Sequence, residues 1–164
     1  PDVVIAAGFL GGPRISIWDG NALKNGTTPT SPLANFFAFE DSLRNGCFAT
    51  VGDVNGDGKA DLIFGGGPGG GPRIRIADAV QILAGGAFGT LDNHAAAQIS
   101  NFFAGDPNTR GGVRVAARNV DGDAFADLVL GSGDGRPSEI RTYLGANLQT
   151  TDGSNPDQTF DPFG

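Results

Sequence analysis

The sequence predicts an all-β fold made of β-propeller blades of four antiparallel strands, about three blade-equivalents in all. Three observations carry this. The 164 residues include 28 Gly and 10 Pro, set between short apolar runs where turns would fall. Helix formers are scarce, and Met is absent. The chain also repeats itself, with residues 35–76 and 101–142 aligning without a gap at an offset of 66. Without a period, this Gly and Pro content would approach the roughly 25% that marks low-complexity disorder; with one, the glycines read as turn punctuation.

The repeat defines the organisation. Asn35-Phe36-Phe37-Ala38 matches Asn101-Phe102-Phe103-Ala104, and Ala60-Asp61-Leu62-Ile63 matches Ala126-Asp127-Leu128-Val129. The opening segment repeats the second half of the unit at an offset of 59, with Gly11-Gly12-Pro13-Arg14-Ile15 matching Gly70-Gly71-Pro72-Arg73-Ile74. Phe160-Asp161-Pro162-Phe163 resembles the start of a further unit, Phe36-Phe37-Ala38-Phe39. The predicted divisions are therefore 1–34 (the last half of a blade repeat with an inter-blade loop), 35–100 and 101–157 (complete blades), and 158–164 (the first strand of the next). A period near 60 residues points to an array of repeats.

Each unit reads as four strands. The first is the Phe-rich Asn35–Phe39 and the second the apolar Cys47–Val51. The third is Leu62–Phe64, with Leu128–Leu130 and Val3–Ile5 as counterparts. The fourth is Arg73–Ala77, where the period of two predicts Ile74 and Ile76 on a buried face and Arg73 and Arg75 on a wet one. Asp78–Ser100 is an insertion with a short helix expected around Ala79–Leu83. Groups of four strands joined by Gly-rich turns are the cue for propeller blades.

Charge and cysteine usage exclude several functions. The net charge of −7 and singly scattered arginines argue against nucleic-acid binding, which needs a basic stripe. No apolar run approaches the roughly 20 residues of a membrane helix, so no membrane insertion is expected. One Cys and one His leave no zinc cluster and no His-based triad. Cys47 opens an apolar strand and is expected to be a buried thiol, and His94 is expected in a solvated loop.

The candidate chemistry lies between strands two and three. Asp53-Val54-Asn55-Gly56-Asp57-Gly58-Lys59-Ala60-Asp61 sets oxygen side chains at its first, third, fifth and ninth positions. A hard cation such as Ca²⁺ takes six to eight oxygens at about 2.3–2.6 Å, and a tight bend can turn alternate residues inward. The Lys59 carbonyl would complete the protein's share, and Gly58 permits backbone that a Cβ resists. The second copy, Asn119-Val120-Asp121-Gly122-Asp123-Ala124-Phe125-Ala126-Asp127, keeps all four side-chain positions and puts Ala124 where Gly58 stands, which predicts a strained or reshaped turn. Asp2 matches the ninth position of a third bend and should not hold a metal alone. An EF-hand would need Glu at position twelve and flanking helices, whereas Phe64 and Leu130 stand there inside strand-like runs. The competing reading is that these Asp and Asn residues only cap tight turns.

Gly52-Asp53-Val54-Asn55-Gly56-Asp57-Gly58-Lys59-Ala60-Asp61-Leu62-Ile63-Phe64-Gly65-Gly66-Gly67 resembles the FG-GAP, or VCBS, repeat of integrin α-subunit-type β-propellers. The resemblance covers nearly all of the chain outside the inter-unit loops. It implies four-stranded blades with calcium between adjacent strands, and residence in a secreted or cell-surface setting, extracellular or periplasmic. Carried over, its calcium residues are Asp53, Asn55, Asp57, Lys59 by its carbonyl and Asp61. In the second unit they are Asn119, Asp121, Asp123, Phe125 by its carbonyl and Asp127. Two Ca²⁺ sites per chain are expected.

The functional expectation is a calcium-binding repeat module for structure, adhesion or protein interaction, without enzymatic activity. The alternatives are a glycan-binding propeller and, less favoured, a polysaccharide lyase or hydrolase. Glycan binding would need aromatics recurring at one rim, and Trp18 and Tyr143 hint at that; inter-blade packing is their other role. An enzyme would need a cluster of ionisable residues that breaks the repeat, and none stands outside the bends. Gly65–Pro72 lacks the Lys-Ser/Thr ending and following helix of a phosphate loop and reads as a hairpin. Propellers close with four to eight blades, so the chain is expected to be a segment of a longer polypeptide or to be joined by further blades or protein subunits.

Overall fold

The computed structural model describes residues 1–86 and 88–164. Three four-stranded sheets follow one another along the chain. The first holds β1 (Val3–Ala6), β2 (Arg14–Trp18), β3 (Ala34–Phe37) and β7 (Phe88–Thr90) in that order. The second runs β4 (Cys47–Gly52), β5 (Asp61–Gly66), β6 (Arg73–Ala77), β8 (Gln98–Phe103). The third runs β9 (Val113–Arg118), β10 (Asp127–Ser132), β11 (Ile140–Tyr143), β12 (Gln158–Phe160). All pairs are antiparallel except β3 with β7.

The expected strands are present, but the sheets are offset from the sequence repeat by one strand. The Phe-rich strand that opens each unit hydrogen-bonds to the fourth strand of the preceding unit: β3 to β2, β8 to β6 and β12 to β11. Boundaries at 34/35 and 100/101 therefore cut through β3 and β8, and the one at 157/158 falls just before β12. The physical reason is that backbone pairing is indifferent to the sequence period. A long connection after strand one carries the chain inward to start the next sheet.

The sheets stack face to face through two apolar clusters. Ile15, Ile17, Ala34 and Phe36 of the first sheet meet Leu62, Phe64 and Ala77 of the second. Phe36 and Phe64 make an edge-to-face pair with centroids 6.0 Å apart. The opposite face of the second sheet presents Ile63, Ile74, Ile76 and Phe102 to Leu128, Leu130 and Tyr143 of the third. Cys47 is buried in the first cluster, as expected, and burial pushes its thiol up to about 12.

The insertion does more than loop out. It forms α2 (Ala79–Gly85), capped by Asp78, and a 3₁₀ stretch over Leu91–Ala97. Ile82, Leu91 and Ala97 close one end of the first cluster. A further helix, α1 (Gly20–Lys24), is capped by Asp19. His94 is half-buried, with Nε2 3.2 Å from the Phe88 carbonyl oxygen, rather than fully solvated.

One expectation is overturned. Arg75 does not face water; it is 1% exposed. The second sheet is covered on both faces, so alternation along β6 leaves no wet side. Arg75 is accommodated because it donates to the Ala38 carbonyl (3.2 Å) and the Gln98 amide oxygen (2.9 Å) and pairs with Asp92 (2.8 Å). Its repeat equivalent, Arg141, donates in the same way to the Ala104 carbonyl at 2.7 Å. Each arginine thus clips its own sheet to the residue that follows the Phe-rich strand of the sheet before.

Candidate metal centre

The two acidic bends join the first two strands of the second and third sheets, β4 to β5 and β9 to β10. In both, the ninth-position carboxylate sits on the first residue of a central strand, where the ladder fixes its backbone. Asp61 is 1% exposed and Asp127 0%. Each holds the residue after the bend's start: the Val54 N–H donates to Asp61 Oδ2 at 3.0 Å, and the Val120 N–H to Asp127 Oδ2 at 2.6 Å. Asp127 also accepts from the Gly145 N–H at 2.8 Å.

The bends differ beyond that. In the first, Asp53 accepts from the N–H groups of Gly56 (2.7 Å), Asp57 (3.2 Å) and Gly58 (2.8 Å). Gly58 has left-handed backbone, φ +79°. Asn55 points its amide at Asp61 Oδ1, 3.3 Å away. In the second, Ala124 has no positive φ, so the turn is reshaped rather than strained. Asn119 takes the Gly122 N–H at 2.7 Å and donates its side-chain amide to the Asp123 carbonyl.

Among the described residues, one group of three carboxylates comes within 4.8 Å: Asp121, Asp123 and Asp127. This is the second bend, whose backbone departs from the Gly-containing pattern. The equivalent positions in the first bend are Asn55, Asp57 and Asp61, where an amide stands in place of the Asp121 carboxylate. Turn capping describes both bends: the Asp57 and Lys59 N–H groups donate to Asn55 Oδ1 (3.0 Å) and Asp57 Oδ1 (2.8 Å), and the Asp123 and Phe125 N–H groups to Asp121 Oδ1 (3.1 Å) and Asp123 Oδ1 (2.7 Å). Three carboxylates this close repel one another and are relieved by a divalent cation. The hard oxygen donors of Asp121, Asp123 and Asp127, with no sulfur or imidazole among them, fit Ca²⁺ or Mg²⁺ chemistry rather than zinc.

Burial raises the Asp61 carboxyl to about 6, and the negative charges of Asp57, Asp78 and Asp53 add to it against the Val54 hydrogen bond. The bends also touch each other, which sequence reading missed. The Ala126 N–H donates to the Asp53 carbonyl at 2.6 Å. The Phe125 ring lies over Gly56, where a Cβ would come within 2.6 Å of it. The absence of a side chain at Gly56 opposite an exposed-looking Phe125 was the available signal.

Tyr143 is 1% exposed, packs on Phe102 at 5.2 Å and donates its hydroxyl to the Gly153 carbonyl at 2.9 Å, so it is a core residue rather than a rim platform. Trp18, its counterpart, is half-buried. Among the described residues no helix is long and apolar enough to cross a membrane. No protein-family model matches the chain.

Proposed function

We propose that this chain is a calcium-binding β-propeller repeat module with a structural, adhesive or protein-interaction role, built from FG-GAP-like blades and acting in a secreted or cell-surface setting. The observation that supports this best is the convergence of Asp121, Asp123 and Asp127 between two adjacent strands of one sheet. The cation supplies positive charge that offsets their mutual repulsion. The chain's residues do the rest: Asp127 anchors the group from a strand end, and Asp121 and Asp123 approach it from the bend.

The first bend is the second candidate site, with Asn55, Asp57 and Asp61 as its side-chain ligands. Asn55 stands there where the second bend has Asp121, so these ligands carry one negative charge fewer and bind the cation more weakly than the second bend does. Tying two strands together at the bend stiffens each sheet where it stacks on its neighbour. The partners of such a module are further blades or protein subunits that cover its terminal sheets.

Calorimetric titration with CaCl₂ after chelation tests the reading, alongside thermal unfolding with and without chelator. Calcium at about 100 times its Kd stabilises the fold by about 2.7 kcal/mol per site. A midpoint unmoved by chelator, with no heat of binding and no bound calcium by elemental analysis, overturns it.

A further inference from the structure

The end of the stack away from the acidic bends carries a groove at each junction between sheets. Between the first and second sheets, the connection after β3 faces the hairpin that joins β5 to β6, and the groove holds about 400 Å³. Between the second and third sheets, the equivalent groove holds only about 150 Å³. Small-molecule sites run from about 300 to 1,000 Å³, so the first is of that size and the second is not. The repeat offset of 66 relates the two, and it exposes a difference. Where the larger groove has Phe39, Leu43 and Arg73, the smaller has Gly105, Thr109 and Glu139. The same fold forms without those three side chains, so packing alone does not require them.

Arg73 is held firmly in the larger groove. Its Cζ lies 5.7 Å from the Phe39 ring centroid and 5.9 Å from that of Phe103. Nε donates to Asn101 Oδ1 at 3.0 Å, and Nη1 to Glu40 Oε1 at 2.7 Å. The side chain is still 22% exposed, and Nη2 has no hydrogen-bond partner among the described residues. A planar guanidinium fixed by four contacts has little rotamer freedom left to lose when an anion arrives. Arg110 lines the same groove, with Nη1 on the carbonyls of Pro107 (2.7 Å) and Thr109 (3.3 Å) and no acidic partner among the described residues. Two arginines against Glu40 leave the lining with one positive charge in excess. Beside them, Leu43 and the 39%-exposed Phe103 offer apolar surface. The walls are tied together: Asn45 Nδ2 donates to the Pro68 carbonyl at 2.9 Å, and the Gly69 N–H to the Arg110 carbonyl at 2.6 Å.

We propose that this groove binds a small monoanionic carboxylate with an apolar body. The carboxylate accepts from Arg73 Nη2 and from Arg110, as charge-assisted hydrogen bonds. The apolar body covers Phe103 and Leu43. Glu40 orients Arg73 and cancels one of the two positive charges, so the site balances one negative charge and leaves a dianion uncompensated. No cation takes part, and the site lies beyond the calcium reading, at the opposite end of β5.

The test titrates the ¹⁵N-labelled 164-residue chain with 3-phenylpropionate in EDTA and follows amide and arginine Nε–H shifts by NMR. Saturable shifts are expected at Gly69–Gly71, Arg73 and Arg110. The neutral analogue 3-phenylpropionamide, and acetate, which lacks the body, should each bind at least tenfold more weakly. Arg73→Gln and Arg110→Gln should each weaken binding at least fivefold, and Leu43→Thr, which copies the smaller groove, at least threefold, with circular dichroism unchanged. Arg110 and Leu43 are exposed, so their variants decide the matter even if Arg73→Gln unfolds. Equal binding of the amide, inorganic phosphate binding as tightly as the probe, shifts centred outside the groove, or no saturable shift overturns the proposal. Because EDTA is present, either result leaves the calcium reading untouched, and a failed calcium titration leaves this one standing.

Discussion

Asp127 serves the fold as well as the candidate centre, and the two duties separate by mutation. Asp127→Ala strands the buried Gly145 N–H and leaves the part-buried Val120 N–H without its acceptor, and a stranded buried donor costs about 1–3 kcal/mol. That loss is expected in urea unfolding with chelator present. Asp127→Asn keeps an acceptor, loses less stability, and still lowers calcium affinity in calorimetry. Arg75 makes the opposite case. It is almost wholly buried, its Nε has no hydrogen-bond partner, and Asp92 remains largely solvated. Replacing a buried ionic group by an apolar one of similar volume is often neutral or stabilising. Arg75→Met is therefore expected to change unfolding stability by less than about 1 kcal/mol, while Arg75→Ala opens a cavity and costs about 2 kcal/mol or more. The burial of Arg75 was hidden in the sequence because alternation reveals two faces but not whether both are covered. Cys47 behaved as its neighbours implied.

At the scale of the bend, the contrast between Gly58 and Ala124 is testable at one repeat position. Gly58 has φ +79° with nothing within 4 Å of a built Cβ, so Gly58→Ala costs backbone strain alone, about 1 kcal/mol. Ala124→Gly loosens a residue with ordinary backbone and costs about 0.5–1 kcal/mol. Both shifts should appear in chemical unfolding of the metal-free protein. Asp61 adds a pH signature. Its folded carboxyl titrates near 6 against a reference of 3.8, so the metal-free fold binds this proton more tightly than the unfolded chain does. The stabilisation is complete below about 3.8 and fades as pH rises through 6. The chelated protein should therefore lose more of its melting temperature between pH 5 and 7 than Asp61→Asn does, whereas calcium, which needs the carboxylate ionised, should add stability as pH rises. The oxygen spacing of both bends was legible in the sequence. So was the difference that sets three carboxylates together in the second bend, Asp121 standing where the first has Asn55; the capping of turn N–H groups by these same side chains was not, because it depends on the folded path of the turn.

Across the whole molecule, the all-β class and nearly every strand could be read from period-two runs such as Arg73–Ala77, whose limits the structure reproduces. Two things could not. The sheet that each Phe-rich strand joins is decided by a hydrogen-bonded neighbour some 20–30 residues away, with no local pattern to mark it. The pairing of β7 with β3 is likewise invisible, since a three-residue strand carries no period. Phe64 sits at the centre of the first stack, and Phe64→Ala is expected to cost about 3–5 kcal/mol in urea unfolding, with a single transition reporting all three sheets. The offset between repeat and sheet makes the array overlap like roof shingles. Peeling the last sheet from its end draws off β12 and β11 first, yet freeing β9 and β10 tugs directly on β8, which roofs the sheet before. Tension applied at the two ends would therefore be shared along the array, and rupture of one sheet would strip the eave of its neighbour.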